Sequence, residues 1–254
     1  GYGSVKKKNV TSAIENVKAD VFENRPIYNV TQALQGTAAG VNVVQNSGKP
    51  GQALNIKIRG NNSVSSGVDP LYVVDGIQTR DISGINPDDI VDMTILKDAT
   101  STAIYGINGS AGVVIVTTKR GKANKPQLNF NAYVGVSNKV DNVDVLNLEQ
   151  YKDLISEINP AWLNTINDPM YAGINTDWVK KVYRTGFDQN YNVNYAFGNE
   201  NVRAYTALGY QNIQGIVSPS DFARTSAKVN LDAKITNWLK VTSSLNYMNT
   251  SLNN

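Results

Sequence analysis

Two different patterns of apolar and polar positions divide the chain near Gly121. Beyond that point the alternation is strict and long. Leu128, Phe130, Ala132, Val134 and Val136 oppose Gln127, Asn129, Asn131, Tyr133 and Gly135. Tyr191, Val193, Tyr195 and Phe197 oppose Asn190, Asn192, Asn194 and Ala196. The outward sets continue with Val202, Ala204, Thr206, Leu208 and Tyr210, and then with Ala227, Val229, Leu231, Ala233 and Ile235 against Ser226, Lys228, Asn230, Asp232 and Lys234. A last run sets Leu239, Val241, Ser243, Leu245 and Tyr247 against Lys240, Thr242, Ser244 and Asn246. A period of two puts each set on its own face of a strand, so five long strands are predicted. A soluble sandwich also alternates. Runs of ~9–12 residues exceed the usual ~5–6 of soluble strands and suit a membrane-crossing barrel wall. Tyr210, Trp238 and Tyr247 stand near strand ends, where an interfacial girdle would lie.

The first region reads as a small α+β unit. Val10 to Val17 suggests an opening strand. Asn29 can cap a helix through Thr31, Ala33, Leu34 and Ala38, stopped by Gly40. Short strands are predicted at Val41 to Val44 and at Asn55 to Arg59, on either side of a Gly48-Lys49-Pro50-Gly51 turn. Another begins after Pro70 and closes at Asp75-Gly76, a strong turn dipeptide. Asn86-Pro87 signals a helix start, and Asp88 and Asp89 would sit in its first turn, where the dipole favours negative charge. A strand over Met93 to Leu96, a helix from Asp98 to a stop at Gly106, and an apolar strand over Gly112 to Thr118 complete the unit. Between the first two long strands, around residues 146–185, Leu148, Tyr151, Leu154, Ile155 and Ile158 have helical spacing, with a second pattern at Trp178, Val179 and Val182. This amphipathic insertion is expected to pack on the rim of the wall or on the first unit.

Composition narrows the chemistry. The chain of 254 residues has no Cys and no His, which removes thiol nucleophiles, Ser-His-Asp arrangements and His-ligated metal sites. No catalytic, cofactor-binding or metal-binding set is expected, and adjacent Asp88 and Asp89 do not converge on one substrate. Charged residues are 18%, and uncharged Asn, Thr, Ser, Gln and Gly fill the difference, as a wet strand face requires. Net charge is +3. The basic runs, Lys6-Lys7-Lys8 and the looser Lys119, Arg120, Lys122 and Lys125, are not interleaved with aromatics, so nucleic acid is not an expected partner. No apolar run reaches the ~18 residues of a spanning helix.

Six ordered motifs carry a family resemblance. Gly1-Tyr2-Gly3 with Lys6-Lys7-Lys8, Leu34-Gln35-Gly36-Thr37-Ala38-Ala39-Gly40-Val41, Ile56-Lys57-Ile58-Arg59-Gly60, Pro70-Leu71-Tyr72-Val73-Val74-Asp75-Gly76, Ile85-Asn86-Pro87-Asp88-Asp89-Ile90, and Ala103-Ile104-Tyr105-Gly106 with Asn108-Gly109-Ser110-Ala111-Gly112 follow one another in order. Together they resemble the plug of SusC/RagA-type TonB-linked outer-membrane transporters. The resemblance covers residues 1 to about 121 and continues more weakly to the C-terminus. It implies a plug domain over 1–121, with the N-terminal part of a transmembrane β-barrel over 122–254. A plug of this size implies a barrel of ~22 strands, which five strands cannot close. The chain is therefore expected to belong to a longer polypeptide, and its start lies just past the family's TonB box.

What the resemblance implies about function follows. The activity is energised import of an oligosaccharide or peptide across the outer membrane, with the plug gating the lumen and no cofactor. Expected partners are a SusD-like surface lipoprotein, the TonB-ExbB-ExbD complex and outer-membrane lipid. Lys6, Lys7 and Lys8 would keep a mobile tether solvated. Arg59, before Gly60, would latch the plug to the wall through Asp75 or Asp98. Gly76, Tyr105 and Gly106 complete the set of plug structural or gating candidates. The alternatives are a ligand-sensing receptor and a plug-like binding module without transport.

Overall fold

The β-branched and aromatic runs of the first region form short strands because each is cut by Gly, Pro or Asp within a few residues. A computed structural model of the protein describes residues 14–18, 29–52, 54–58, 69–140, 145–171 and 174–253. In the first region the strands are β1 (Ile14–Lys18), β2 (Val41–Val44), β3 (Asn55–Ile58), β4 (Leu71–Val74), β5 (Ile77–Thr79), β6 (Ile90–Leu96) and β7 (Val113–Thr118). Five of them make a mixed sheet in the order β1-β6-β7-β4-β5, with β4 and β7 parallel; β2 and β3 pair separately. A parallel pair is stable only when both faces are covered. Here Val114, Val116, Met93 and Ile95 bury against Leu34, Ile56 and Ile58 on one side. Leu71, Val73, Leu96 and Val113 bury beneath Tyr105 on the other. Gly112, at φ 102, lets Ile58 close over the sheet: a Cβ there would stand 3.1 Å from the Ile58 side chain.

Several local expectations change. The helix expected from Asn29 to Gly40 is one 3-10 turn, Val30–Leu34, capped by Asn29; Gly36 and Gly40, at φ 71 and 75, turn the chain into β2 instead. The Asp75-Gly76 turn does not merely end β4 but folds it back into β5, with both turn residues at positive φ (49 and 92). The helix from Asp98 is a single turn, α1 (Ala99–Thr102), running into a 3-10 segment (Ala103–Gly109) that Gly106 kinks at φ 60. The opening strand is seen over Ile14–Lys18; its expected first residues lie outside the described ones.

The second region is a meander of β8 (Gln127–Ser137), β9 (Gly186–Gly198), β10 (Val202–Gln214), β11 (Asp221–Lys234) and β12 (Lys240–Asn253), each hydrogen-bonded to the next. The five expected strands are present and longer than the sequence pattern marked. One end of this wall has the short joins 199–201 and 235–239. The other carries the insertion and the 215–220 hairpin. The insertion holds α2 (Leu148–Ile158), α3 (Trp162–Ile166) and α4 (Trp178–Val182). It was expected to pack down, but none of its helices buries a residue. It is tied at its C-terminal end, where Ser218 N–H donates to the Val182 carbonyl at 3.0 Å.

The two faces of the wall decide its class. Leu128, Phe130, Leu208, Leu245 and Tyr247 point away from the first region and are 61–70% exposed. The opposite face is the buried one, and it is polar: Asn192, Asn194, Ser226, Lys228 and Asn230 are all at most 6% exposed. A soluble sandwich buries its apolar face. This sheet buries the polar one and leaves the apolar one for lipid. Ala204 and Ala233, expected to be outward, are covered because a methyl group is recessed between larger paired neighbours, Phe197 and Leu231 for the first, Val202 and Val241 for the second. Leu208→Arg is expected to cost about 2–4 kcal/mol of barrel stability, the scale for a cation on the lipid face near the bilayer midplane. Folding titrations into lipid vesicles would measure it.

Candidate functional site

The seam between the first region and the wall is the candidate site. It starts where Asn246 donates to the Gly84 carbonyl at 3.2 Å, and Asn86 reaches Ser226 at 3.5 Å. Asn86 also caps the 3-10 turn Pro87–Asp89 by accepting from the Asp88 N–H. That turn aims two carboxylates at the wall. Asp88 accepts long hydrogen bonds from Asn131 (3.5 Å) and Asn190 (3.4 Å). Asp89 is 2% exposed and accepts from the Tyr205 hydroxyl at 2.7 Å. Tyr205, 1% exposed, is the largest fully buried side chain of the described residues. Gly209 makes this approach feasible, since a Cβ there would stand 2.5 Å from the Asn86 amide nitrogen and 2.7 Å from the Ser226 hydroxyl.

The seam continues toward the short-turn end. Asp75 accepts from the Thr118 N–H (3.0 Å) and hydroxyl (2.5 Å). Asn230 of the wall donates to the Lys119 carbonyl (2.7 Å) and to the Thr118 hydroxyl (3.3 Å). Arg120 bridges the two bodies, 3.1 Å from Asp232 on the wall and 3.9 Å from Asp75. Among the described residues, then, Arg120 pairs with Asp75, and Lys228 attracts it as well. Arg59 and Gly60, the expected latch, lie outside the described residues, as do Lys6, Lys7 and Lys8. Asp98 caps α1, accepting from the Ser101 N–H at 2.7 Å. Tyr105 packs on the core near Leu71, and Gly106 supplies the kink beside it. Gly76 completes the turn that holds Asp75 in place.

The wall's contribution escaped the sequence reading as a site, although Lys228, Asn230 and Asp232 fell on the correct face. Arg224 and Lys228 are buried at 5% and 4% exposure and attract Asp88 and Asp89 across the seam. Burial drives the Asp89 carboxyl above the usual carboxylate range, partly offset by the Tyr205 hydrogen bond and Lys228. At the far edge of the first region, Glu15 on β1 pairs with Lys97 and accepts from the Ala39 N–H at 3.0 Å. The bond to Lys97 holds its carboxyl below the usual range. Among the described residues no cluster of three or more acidic side chains is placed to hold a metal ion.

A folded α+β body sealing the polar face of a lipid-exposed wall is the arrangement of a plugged membrane barrel. Comparisons with known proteins agree. The family model for the TonB-dependent receptor plug domain matches residues 6–113. The chain is 36% identical over 245 residues, 91% of its own length, to the TonB-dependent receptor SusC of Bacteroides thetaiotaomicron. It is 37% identical, over 95% of its length, to TonB-dependent receptor P3 of Formosa agariphila. It spans only about a quarter of those relatives, 24% and 23%. Among solved structures, the RagAB peptide importer in the open-open state superimposes at TM-score 0.88 with 28% identity, covering 100% of this chain and 32% of that one. The siderophore receptor PirA of Acinetobacter baumannii shares the fold alone, at TM-score 0.60 and 14% identity over 94% of this chain and 32% of that one. The chain belongs to the SusC/RagA-type TonB-dependent receptors, as a plug domain followed by strands of the barrel wall.

Two seam predictions follow from Asp89. Tyr205→Phe removes the hydroxyl that donates to the buried Asp89 carboxyl and should cost about 1–3 kcal/mol of plug docking. Hydrogen exchange of residues 85–90 would detect it. Because the Asp89 carboxyl is raised, its favourable contribution is complete below 3.8 and declines as pH rises through the higher folded value. Relative to Asp89→Asn, the unaltered protein should therefore lose stability as pH rises above about 4, measured by thermal unfolding across that range.

Proposed function

We propose that this chain forms residues 1–121 of the plug and residues 122–254 of the barrel wall in an outer-membrane receptor. The receptor imports an oligosaccharide or peptide by TonB-driven rearrangement of the plug. The observation that carries the reading is the buried polar face of the wall: a lumen lined with Asn, Ser and Lys would conduct water and solutes were it not filled. The filling is a body with its own two-sided core, joined to the wall through many hydrogen bonds and charge pairs beside a few apolar contacts such as Phe222 on Gly51 and Met248 on Gly84. Such a seam can exchange its partners for water when the plug moves. SusC relatives support a nutrient cargo and a SusD-like lipoprotein partner. The similarity to a peptide importer keeps peptide among the cargoes.

Short turns at one end of the wall and the insertion at the other orient it, since outer-membrane barrels keep short turns on the periplasmic side. The plug joins the wall at that short-turn end, where Asn124 N–H donates to the Gly198 carbonyl at 2.9 Å. The TonB-ExbB-ExbD complex then acts on the residues before β1, with Lys6, Lys7 and Lys8 as the solvated tether. Arg59, Gly60, Asp75, Gly76, Asp98, Tyr105 and Gly106 are the plug positions proposed to hold or gate the path. β1 is an edge strand, held by one antiparallel ladder to β6 and by the Glu15–Lys97 pair. It is the first described element that a pull on the tether would load.

The test is a lock. The chain has no Cys, so Asn16→Cys with Thr94→Cys places one pair across directly opposed positions of β1 and β6. In cells carrying the intact receptor, the oxidised variant should bind cargo but not import it, and reductant should restore uptake to the level that also disappears without TonB. Uptake by the oxidised variant at the unaltered rate would refute movement of β1, and uptake independent of TonB would refute the import reading.

A further inference from the structure

At the insertion-bearing end of the seam lies a cavity of about 450 Å³, within the range of small-ligand sites. The plug supplies the Gly48-Lys49-Pro50-Gly51 turn and the amides of Gln45 and Gln52. The wall supplies Phe222, Arg224 and the start of the 215–220 hairpin. Arg224 forms the floor. As a residue it is 5% exposed, and it lines the cavity without a protein hydrogen bond or ion pair to its guanidinium among the described residues, its nitrogens not being sealed from the cavity. The Phe222 ring lies beside it, with the guanidinium carbon 6.0 Å from the ring centre. Asp88 and Asp89 attract it from beyond hydrogen-bonding distance. Its register partner Gln211 also leaves a buried Oε1 without a hydrogen bond.

A guanidinium presents five N–H donors in a fixed fork, and those of Arg224 are not sealed away from the cavity, so a ligand there can meet them with charge-assisted hydrogen bonds. The pull of Asp88 and Asp89 explains why a cation is tolerated here, but not why its fork is left open. The only carboxylate in the described lining, Asp188, takes a 3.4 Å hydrogen bond from Ser137, and Lys49 adds a second cation from the plug side. Within the lining itself two cations stand against one carboxylate, which favours an anion at the open fork. The planar fork fits a carboxylate bidentately, and the amides around it fit the polar groups of a chain that carries one. Phe222 and Leu252 provide an apolar side for that chain.

We propose that this cavity is a recognition site for a carboxylate on the cargo, held by Arg224 and steered by Lys49. The proposal rests on the import reading and narrows its cargo to an acid-bearing oligomer. Because Arg224 stands on the wall and Gln45 to Gln52 on the plug, the bound carboxylate would touch both bodies at the seam. Its occupancy would register on the plug turn that faces the outside.

Two sources of the carboxylate, a peptide C-terminus and a uronic acid residue, are separated by paired probes. The intact receptor is titrated calorimetrically with a tripeptide as free acid and as C-terminal amide, and with a trigalacturonate and its methyl ester. In the expected result one acid binds about tenfold or more tighter than its neutral partner, the scale of one charged hydrogen-bonded pair. Arg224→Gln should abolish that ratio, and Arg224→Lys, which keeps the charge that faces Asp88 and Asp89, should reduce it. Discrimination by the peptide pair alone assigns a peptide terminus, and by the uronate pair alone a glycan. Equal binding within both pairs, or discrimination that survives in both variants, overturns the proposal. So does competition by inorganic phosphate stronger than by acetate. A receptor that still imports in a TonB-dependent way while ignoring the acid would sink this inference and leave the import reading standing.

Discussion

A buried polar surface must find polar partners, and that constraint organises this molecule. The wall turns Asn192, Asn194, Tyr205, Ser226, Lys228 and Asn230 inward, and none of these can face lipid or an apolar core without loss. The plug answers with groups that its own fold would otherwise expose: Asn86, Asp88, Asp89, the Thr118 hydroxyl and the Lys119 carbonyl. Tyr205 with Asp89, and Asn230 with Thr118, are pairs in which every side chain is at most 2% exposed. The 3-10 turn that carries Asp89 exists because Asn86 caps it and Pro87 presets its backbone. Gly209 allows the turn to come close.

The seam is polar for a reason that reaches function. An apolar interface of the same area would hold the plug through burial that water cannot replace. Hydrogen bonds to amides and hydroxyls are worth about 1 kcal/mol each, because water offers nearly the same partners. The plug keeps its own stability in a separate core, with Met93, Ile95, Val114 and Val116 fully buried. The plug's buried core is thus made from its own residues, as the proposed movement against the wall requires. The carboxylate site proposed at Arg224 lies on this seam, where binding and displacement would meet.

Much of the fold was legible because period two is a local property. The inward and outward sets of β9 and β11 follow parity residue by residue, from Asn192 and Asn194 to Lys228 and Asn230. The exceptions are local too: Ala204 and Ala233 follow parity in direction but not in exposure, because larger neighbours overhang them. The short elements were harder to read. A 3-10 turn of five residues at Val30–Leu34 gives little periodicity to distinguish it from a helix, and β5 is only three residues long. The site was the least legible. Asp89 and Tyr205 are 116 positions apart, and Thr118 and Asn230 are separated by 112. Asp75 is expected as one of two carboxylates that Arg59 could pair with; its described partners, Thr118 and Arg120, lie at and just past the end of the third strand after it, β7, and no local pattern links them. Asp88 and Asp89 were read as helix-end charges; nothing in the local pattern announces that a tyrosine on a barrel strand would need them.

The central claim is that the polar face of the wall is sealed by the plug while the apolar face meets lipid. Nitroxide labels placed one at a time from Val202 to Gln214 in the bilayer-reconstituted receptor test it most directly, read by collisions with oxygen, which partitions into lipid, and with a water-soluble nickel chelate. The account predicts a period of two, with oxygen reaching positions 206, 208 and 210 while neither reagent reaches 205, 207 or 211, Gly209 being left unlabelled because it has no room for a side chain. Free access of the nickel chelate to the Leu208 set would contradict it, because that face would then stand in water.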